Sequence, residues 1–304
     1  MSEIILKSGF DFHENSETKC QFKCFLIFEY MARYYDHVLI CLGLSILSST
    51  ITNLKSVILL CLLVLPAIPT SASYNDRPQE TFVLVHGATG GGWDWRTMQN
   101  ILVERGHQVH RITLTGLGER AHLSSPKINL TTHITDVVNT VIYDELDEII
   151  LVGHSYGGIV VTGVMNSIPK KVKHAVFLDA AVPNHGMSIK DLWADNRALK
   201  IRDGIVYFPW LIENSKPPHD VPQSLATLTE PVSFDDDQAI KLPATYVAFV
   251  SDPKIKDIRE KTDPSWKNAR DRGWPIHILE SDHNAQRSHP VELADLLEQI
   301  VSTN

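Results

Sequence analysis

Short apolar runs alternate with stretches of helical periodicity between residues 81 and 301. Runs of about four to seven apolar residues are too short for helices and predict buried strands. The predicted strands are Thr81–His86, Gln108–Thr113, Glu148–Val152, Ala175–Leu178, Ala244–Val250 and Ile276–Leu279. Stretches with apolar residues three and four positions apart predict helices. The predicted helices are Trp93–Glu104, Thr132–Tyr143, Gly157–Ser167, Lys254–Asp271 and Pro290–Val301.

This alternation, with its short connections, indicates an α/β fold. We expect a mainly parallel sheet of about six strands flanked by helices on both faces. Sheets of this kind bind ligands at the carboxyl ends of their strands. His86, Ser155 and Asp179 all fall at such ends, so the sequence predicts a functional site there.

The alternation stops between about residues 182 and 242, where prolines and large aromatic residues accumulate. We expect this segment to be a helical cap inserted over the strand ends. Its aromatic residues are candidates for the substrate pocket, although most aromatics of such a cap pack in its own core. These candidates are Trp193, Tyr207, Phe208 and Trp210.

Residues 1–75 differ from the remainder, which we expect to be one domain over 76–304. The segment 54–73 has a basic residue, a short apolar run and small residues at its end, the pattern of a secretory signal. It predicts a signal or membrane anchor, and hence a secreted or periplasmic protein. The N-terminus of such a protein can contact a membrane before processing. A start of translation at Leu54 is one hypothesis for this internal position, and a two-run membrane anchor is the other.

Cysteine usage and charge narrow the function classes. All four cysteines (Cys20, Cys24, Cys41 and Cys61) precede residue 75, which excludes a disulfide framework or a cysteine-based metal site in the body of the chain. The formal net charge of −8 argues against a nucleic-acid partner, since such proteins present a basic face.

The sequence Gly-His-Ser-Tyr-Gly at residues 153–157 follows an apolar strand and precedes a helix. This is the context of a nucleophile elbow, in which a serine is held on a tight turn. We therefore predict Ser155 as a nucleophile; the alternative is a surface serine in a glycine-rich turn.

A serine nucleophile needs a general base that is oriented by an acid. His283 directly follows the last predicted strand, and we expect it to be the base, ahead of His277 and His289. For the acid we expect Asp252, in the loop after the strand that ends at Val250, with Asp179 as the second choice one strand earlier. Asp257 falls on the following helix and Asp282 adjoins the base, so neither is favoured.

The oxyanion of a tetrahedral intermediate needs hydrogen-bond donors. We expect these to be the backbone N–H groups of Ala88 and Tyr156. His86 and His154 are expected to support the loop and the elbow by hydrogen bonds and not to react.

Four motifs together resemble the α/β-hydrolase superfamily, and more narrowly the bacterial esterases related to plant methylesterases and hydroxynitrile lyases. They are Phe-Val-Leu-Val-His-Gly-Ala-Thr-Gly-Gly-Gly-Trp at 82–93, Leu-Thr-Gly-Leu-Gly-Glu-Arg at 114–120, Val-Gly-His-Ser-Tyr-Gly-Gly at 152–158 and Ser-Asp-His-Asn-Ala at 281–285. The resemblance covers about residues 80–304 and implies an acid six residues after Tyr246, which is Asp252.

Departures from related patterns narrow the activity. Dehalogenases and epoxide hydrolases of this fold carry Asp at the elbow, where this chain has Ser155. Hydroxynitrile lyases carry Lys after the base, where this chain has Asn284, and the plant methylesterases carry Met there.

The sequence therefore predicts a serine carboxylesterase that acts on a small or medium apolar ester and needs neither a cofactor nor a metal. The alternatives are a hydrolase-fold ligand-binding protein without catalysis, and a carbon–carbon bond hydrolase or hydroxynitrile-lyase-like enzyme.

Overall fold

A computed structural model of the chain describes residues 78–193 and 199–302, which belong to one compact unit spanning Ala72–Asn304. The expected N-terminal signal or anchor segment, 54–73, lies outside the described residues. Within the part of the chain that the structure describes, no helix combines the length and apolarity needed to cross a membrane.

Six parallel strands form the central sheet, in the order β2-β1-β3-β4-β8-β9. They are β1 Thr81–Val85, β2 Gln108–Ile112, β3 Ile149–His154, β4 Val172–Leu178, β8 Ala244–Phe249 and β9 Ile276–Leu279. The chain runs from β1 outward to β2 and then crosses to β3 on the other side. The order therefore reverses between β1 and β3, and the loops after these strands diverge to leave a crevice at their carboxyl ends.

Helices lie between the strands, as the alternation predicted, and the expected α/β fold with a parallel six-stranded sheet is confirmed. The helices of the main unit are α1 Arg96–Glu104, α2 Leu130–Tyr143 and α3 Gly157–Ser167, followed after the cap by α7 Pro253–Thr262, α8 Pro264–Asp271, α9 Ala285–Ser288 and α10 Pro290–Ser302. Short 3₁₀ turns span Gly92–Trp95, Gly118–Leu123 and Pro169–Lys171.

One long helix was expected over Lys254–Asp271, but the structure has two. The break is at Asp263, whose backbone is extended (φ −80°, ψ 114°). A proline disfavours helical geometry in the residue before it, and Pro264 follows here. Asp263 then caps the new helix by accepting hydrogen bonds from the backbone N–H groups of Ser265 and Trp266.

Both faces of the sheet are covered by buried side chains, because successive residues of a strand point to opposite sides. On β1, Val83 and Val85 join the cluster under α2 and α3, whereas Phe82 and Leu84 join the cluster under α1 and α10. All four are fully buried. This double burial is why the central strands β1 and β3 are continuously apolar and were recognisable in the sequence, whereas the edge strand β2 is more polar and more exposed.

The cap is not purely helical, contrary to expectation. Short helices α4 Ile189–Leu192, α5 Ala226–Thr229 and α6 Asp237–Ile240 accompany a three-stranded antiparallel sheet of β5 Lys200–Arg202, β6 Ile205–Tyr207 and β7 Gln223–Ser224. Asp203 and Gly204 join β5 to β6 with φ values of 50° and 76°. Asp-Gly with two positive φ angles is a strong hairpin signal, and the sequence carried it.

Candidate active site

The elbow holds Ser155 at the end of β3 in a left-handed backbone conformation, with φ of 52°. A Cβ on Gly157 would lie 2.7 Å from the carbonyl oxygen of Val85, and one on Gly153 would lie 2.7 Å from Val161 Cγ2. Both glycines of the motif are therefore required by close approach. The elbow is also tied to the strand β4, since the Ser155 N–H donates to the carbonyl of Leu178 at 3.2 Å.

His283 lies in the loop between β9 and α9 and reaches the serine. Its Nε2 is 3.0 Å from Ser155 Oγ, and its Nδ1 is 2.5 Å from Asp179 Oδ2. A carboxylate can only accept, so the proton of the neutral ring is on Nδ1, and Nε2 is free to accept from the serine hydroxyl. Ser155, His283 and Asp179 therefore form a continuous hydrogen-bonded chain.

The structure contradicts the expectation that Asp252 is the acid. Asp252 is exposed, and its carboxylate accepts from the Lys254 N–H at 2.8 Å as the N-cap of α7. Asp179 follows β4, whereas Asp252 follows β8, one strand farther from β3 in the sheet. The acid therefore comes from the strand beside the elbow. The position six residues after Tyr246, which the family resemblance implied, is a helix cap here.

Asp179 is nine-tenths buried and carries a second charged partner. Arg259 Nη2, from α7, is 2.6 Å from Asp179 Oδ1, and the Asp179 side chain is 6% exposed. Burial alone would raise the pKa of Asp179, but the hydrogen bond and charge of His283 and the charge of Arg259 lower it below the usual value. The carboxylate is thus held ionised.

The backbone N–H groups of Ala88 and Tyr156 lie beside the serine. Among the described residues neither donates to a partner, and Ala88 lines the same cavity as Ser155. Tyr156 also immediately precedes α3, whose N-terminus adds positive potential. A Cβ on the intervening Gly87 would be 3.1 Å from Ser155 Cβ, so the loop after β1 packs directly on the elbow.

Thr89, the residue after Ala88, is fixed by the cap. It is fully buried and has φ of 65°. Its backbone N–H donates to Gln223 Oε1 at 2.9 Å, and its carbonyl accepts from the Val221 N–H at 2.9 Å. Its hydroxyl donates to Asp220 Oδ1 at 2.9 Å and accepts from Trp210 Nε1 at 3.0 Å. The cap therefore sets the position of the loop after β1 that carries Ala88, a role that the sequence did not reveal.

A cavity of about 860 Å³ opens over Ser155 and His283. Of the four predicted aromatic residues, Trp193 and Trp210 line it. Phe208 does not: it is 3% exposed and stacks behind Trp210 with ring centroids 4.5 Å apart. Tyr207 does not line it either, and instead lies under the Arg202 guanidinium at 5.6 Å.

An ion pair closes one side of the cavity. Arg287 Nη2, on α9, is 2.5 Å from Asp94 Oδ1, and its guanidinium lies 4.7 Å from the centre of the Trp93 ring. The Asp94 side chain is 4% exposed. Because Arg287 is one helical turn after His283, this pair joins the histidine loop to the segment after β1.

Buried histidines support the site without carrying charge, as expected of His86 and His154. His154 Nε2–H donates to the carbonyl of His283 at 2.7 Å. His86 Nδ1–H donates to the Gly87 carbonyl at 2.7 Å, and its Nε2 accepts from the Leu114 N–H. Burial lowers the pKa of His154 to about 3 and that of His86 to about 4. Both rings are therefore neutral and stabilise the site through their hydrogen bonds.

The weaker alternatives lie away from the serine. His277 is within β9, His289 ends α9, and Asp257 is on α7. Asp282 accepts from the Asn284 N–H and the Ser288 hydroxyl, which is the structural role expected of it. Across residues 78–193 and 199–302, no group of three His, Cys, Asp or Glu side chains is arranged to hold a metal ion.

Sequence reasoning missed Arg259, Thr89 and Gln223. Asp179 carried a signal, because an acid directly after a buried strand sits at the functional edge. Arg259 carried none, since only the fold brings α7 over the end of β4.

Comparison with known proteins places the chain in context. A model of the alpha/beta hydrolase family matches residues 82–296. The carbendazim hydrolyzing esterase of Nocardioides sp. (strain SG-4G) is 52% identical over 111 residues, which are 36% of this chain and 46% of that protein. Putative methylesterase 11, chloroplastic, of Arabidopsis thaliana is 35% identical over 125 residues, 40% of this chain and 31% of that protein. The matched segment is less than half the length of either relative.

A solved structure gives the same fold. An extracellular alpha/beta-hydrolase from a Paenibacillus species aligns with a TM-score of 0.60 at 21% identity, over 73% of this chain and 98% of that chain. At this identity the likeness shows the fold alone.

Proposed function

The chain belongs to the alpha/beta hydrolase family, and we propose that it is a serine carboxylesterase that works through an acyl-enzyme. One observation carries the proposal: Ser155 Oγ, His283 and Asp179 are joined by hydrogen bonds of 3.0 and 2.5 Å at the base of a cavity. The similarity to named esterases of Nocardioides and Arabidopsis supports the reaction class.

The first half-reaction forms the acyl-enzyme. Ser155 Oγ attacks the ester carbonyl carbon while His283 Nε2 takes the hydroxyl proton, and the carbonyl oxygen becomes an oxyanion bound by the N–H groups of Ala88 and Tyr156. The carbon–oxygen bond to the alcohol then breaks, and His283 returns the proton to the leaving alkoxide. Asp179 stabilises the imidazolium that exists between the two transfers.

The second half-reaction releases the acid. Water replaces the alcohol, loses a proton to His283 Nε2 and attacks the acyl carbon. The Ser155 ester bond breaks and the serine oxygen recovers the proton. Each of these steps uses groups of this chain and water.

The cavity supports a small or medium ester with an apolar or aromatic part. Its volume is about 860 Å³, in the range of sites for small molecules, and the indoles of Trp193 and Trp210 form flat apolar walls. Carbendazim, which the name of the Nocardioides relative gives as its substrate, and methyl esters of aromatic acids belong in the first substrate panel.

The test is the variant Ser155→Ala. We expect it to abolish hydrolysis of p-nitrophenyl acetate and labelling by a fluorophosphonate, because alanine has no oxygen to acylate. Ser167→Ala is the matched control, since Ser167 lies at the end of α3 and bonds the Gly163 carbonyl; it should behave as wild type. A Ser155→Ala rate within about tenfold of wild type would refute the proposal, whereas a small residual rate over water is what loss of a triad member leaves.

The same assay separates this reading from the alternatives. A ligand-binding protein without catalysis would give one slow acylation and no multiple turnovers. A carbon–carbon bond hydrolase would leave simple esters uncleaved and would be found with a diketone panel.

A further inference from the structure

The guanidinium of Arg259 contacts the Asp179 carboxylate oxygen that does not face His283. Asp179 presents Oδ2 to His283 Nδ1 at 2.5 Å and Oδ1 to Arg259 Nη2 at 2.6 Å. The Arg259 side chain is 24% exposed, so water screens its charge only in part. A serine–histidine–aspartate chain requires no such cation, and its presence needs a reason.

Arg259 is held in this position by acceptors other than Asp179. Its Nη1 donates to the Phe249 carbonyl at 2.7 Å, and its Nη2 is also 2.7 Å from Asp263 Oδ2. The guanidinium lies 6.0 Å from the centre of the Trp266 ring. With the Asp179 contact, these bonds use three of the five N–H donors of the planar guanidinium. Arg259 is therefore anchored at the edge of the cavity, which it also lines.

Asp263 balances the cation from the side away from His283. Its Oδ1 caps α8 and its Oδ2 contacts Arg259, so the helix fixes its place. His283 is therefore followed by Asp179, Arg259 and Asp263, whose charges alternate from negative to positive to negative.

We propose that Arg259 is a positioning residue that fixes Asp179 toward His283 and, with Asp263, sets how readily His283 takes up a proton. This rests on the proposed function. A positive charge about 4–6 Å from an imidazolium opposes protonation, and a carboxylate shared with an arginine stabilises the imidazolium less than a free one. Arg259 thus offsets part of the stabilisation that Asp179 gives to a protonated His283 ring.

The remaining charged and titratable groups around His283 are accounted for. From β3, the ring of His154 lies 4.8 Å from that of His283 between centroids, tilted by 45°, and it is neutral because burial lowers its pKa to about 3. From α9, Arg287 is paired with Asp94. From β8, burial keeps the Tyr246 hydroxyl protonated by raising its pKa. Burial raises the pKa of Asp94 to about 6, so this carboxyl titrates beside the same cavity. Asp179, Arg259 and Asp263 are the charged groups that are linked to His283 through direct contacts.

The experiment compares two substitutions that should act in opposite directions. Arg259→Gln removes the cation, so the acid limb of the pH profile of kcat/KM should move up by about one pH unit. Asp263→Asn leaves the cation with one carboxylate partner fewer, so the limb should move down by about half a unit. Asparagine retains the side-chain oxygen that caps α8, which protects the fold in this variant.

Two further variants separate charge from structure. Arg259→Lys keeps the charge, so its limb should stay within about 0.3 unit of wild type even if kcat falls. Arg270→Gln removes an arginine on α8 that pairs with Glu260 at 3.7 Å and is far from the serine, and it should leave the profile unchanged.

An NMR titration of the His283 ring, assigned with His283→Asn, measures the same midpoints without any substrate. Opposite shifts of the Arg259→Gln and Asp263→Asn midpoints support the proposal, even if p-nitrophenyl acetate is not hydrolysed and the proposed function is wrong. Midpoints that coincide with wild type, or that move in the same direction in both variants, overturn it.

Discussion

Substitution of Asp179 by asparagine distinguishes the acid found in the structure from the one expected from the sequence. In the wild type, Oδ1 of Asp179 faces two donors, Arg259 Nη2 at 2.6 Å and the Phe249 N–H at 3.4 Å. The amide oxygen of asparagine will turn to that side, because an NH₂ group there would oppose two donors. The NH₂ group then faces His283 Nδ1.

This reversal forces the wrong tautomer on the base. His283 Nδ1 must become an acceptor, so the ring proton moves to Nε2, which can no longer accept from Ser155 Oγ 3.0 Å away. In the Ser-His-Asp template the equivalent change lowers kcat about 10⁴-fold, and we expect about 10³–10⁴ here. That is about 4–5.5 kcal/mol of transition-state stabilisation, at 1.36 kcal/mol for each tenfold change.

The assay is kcat for an active ester at pH 8, with thermal unfolding as a check on folding. Asp252→Asn is the matched control, since asparagine is as good an N-cap as aspartate and Asp252 only caps α7; it should retain kcat within about twofold. If Asp252→Asn loses as much activity as Asp179→Asn, or if Asp179→Asn keeps more than about a tenth of kcat, the reasoning is refuted.

Two other substitutions probe the support of the site. Gln223→Leu leaves the buried N–H of Thr89 unpaired, so urea titrations should show a loss of about 1–3 kcal/mol of folding free energy. We also expect about a tenfold fall in kcat with KM little changed, because the loop that carries Ala88 shifts. An unaltered kcat would contradict the role of the cap in placing this loop. Burial lowers the pKa of His133 to about 4, whereas the pKa of histidine in the unfolded chain is near 6.5. Between these pH values the unfolded state binds a proton that the folded state does not. The free energy of unfolding should therefore fall by about 3 kcal/mol as the pH drops from 6.5 to 4. Urea titrations at both pH values should show a smaller fall for His133→Gln than for wild type, and an equal fall would show that His133 does not titrate on unfolding.

The centre of the sheet could be predicted because its strands are buried on both faces. Phe82 to Val85 and Ile149 to Val152 are continuously apolar, and local composition alone marks them. The cap was harder, because its strands are short and half exposed, and the Asp203-Gly204 turn was the only strong local signal. The helix break at Asp263 also had a local signal, because a proline follows that residue.

The site divides in the same way. Ser155 and the glycines at 153 and 157 are neighbours in sequence and form the elbow together, so a motif identifies them. His283 was found because it directly follows the last strand. The choice between Asp179 and Asp252 could not be made in that way, since both follow buried strands and both reach the same edge of the sheet.

The sequence by itself determined the elements, the elbow and the edge of the sheet at which the chemistry lies, because these depend on residues within a few positions of one another. Only the tertiary structure decided that Asp179 and not Asp252 faces His283, that Arg259 contacts the acid and that the cap holds Thr89. The contacts of Asp179 with His283, Asp179 with Arg259 and Thr89 with Gln223 join residues about 80 to about 134 positions apart. Their partners are chosen by strand order and by burial of charge, which become defined only when the chain is packed.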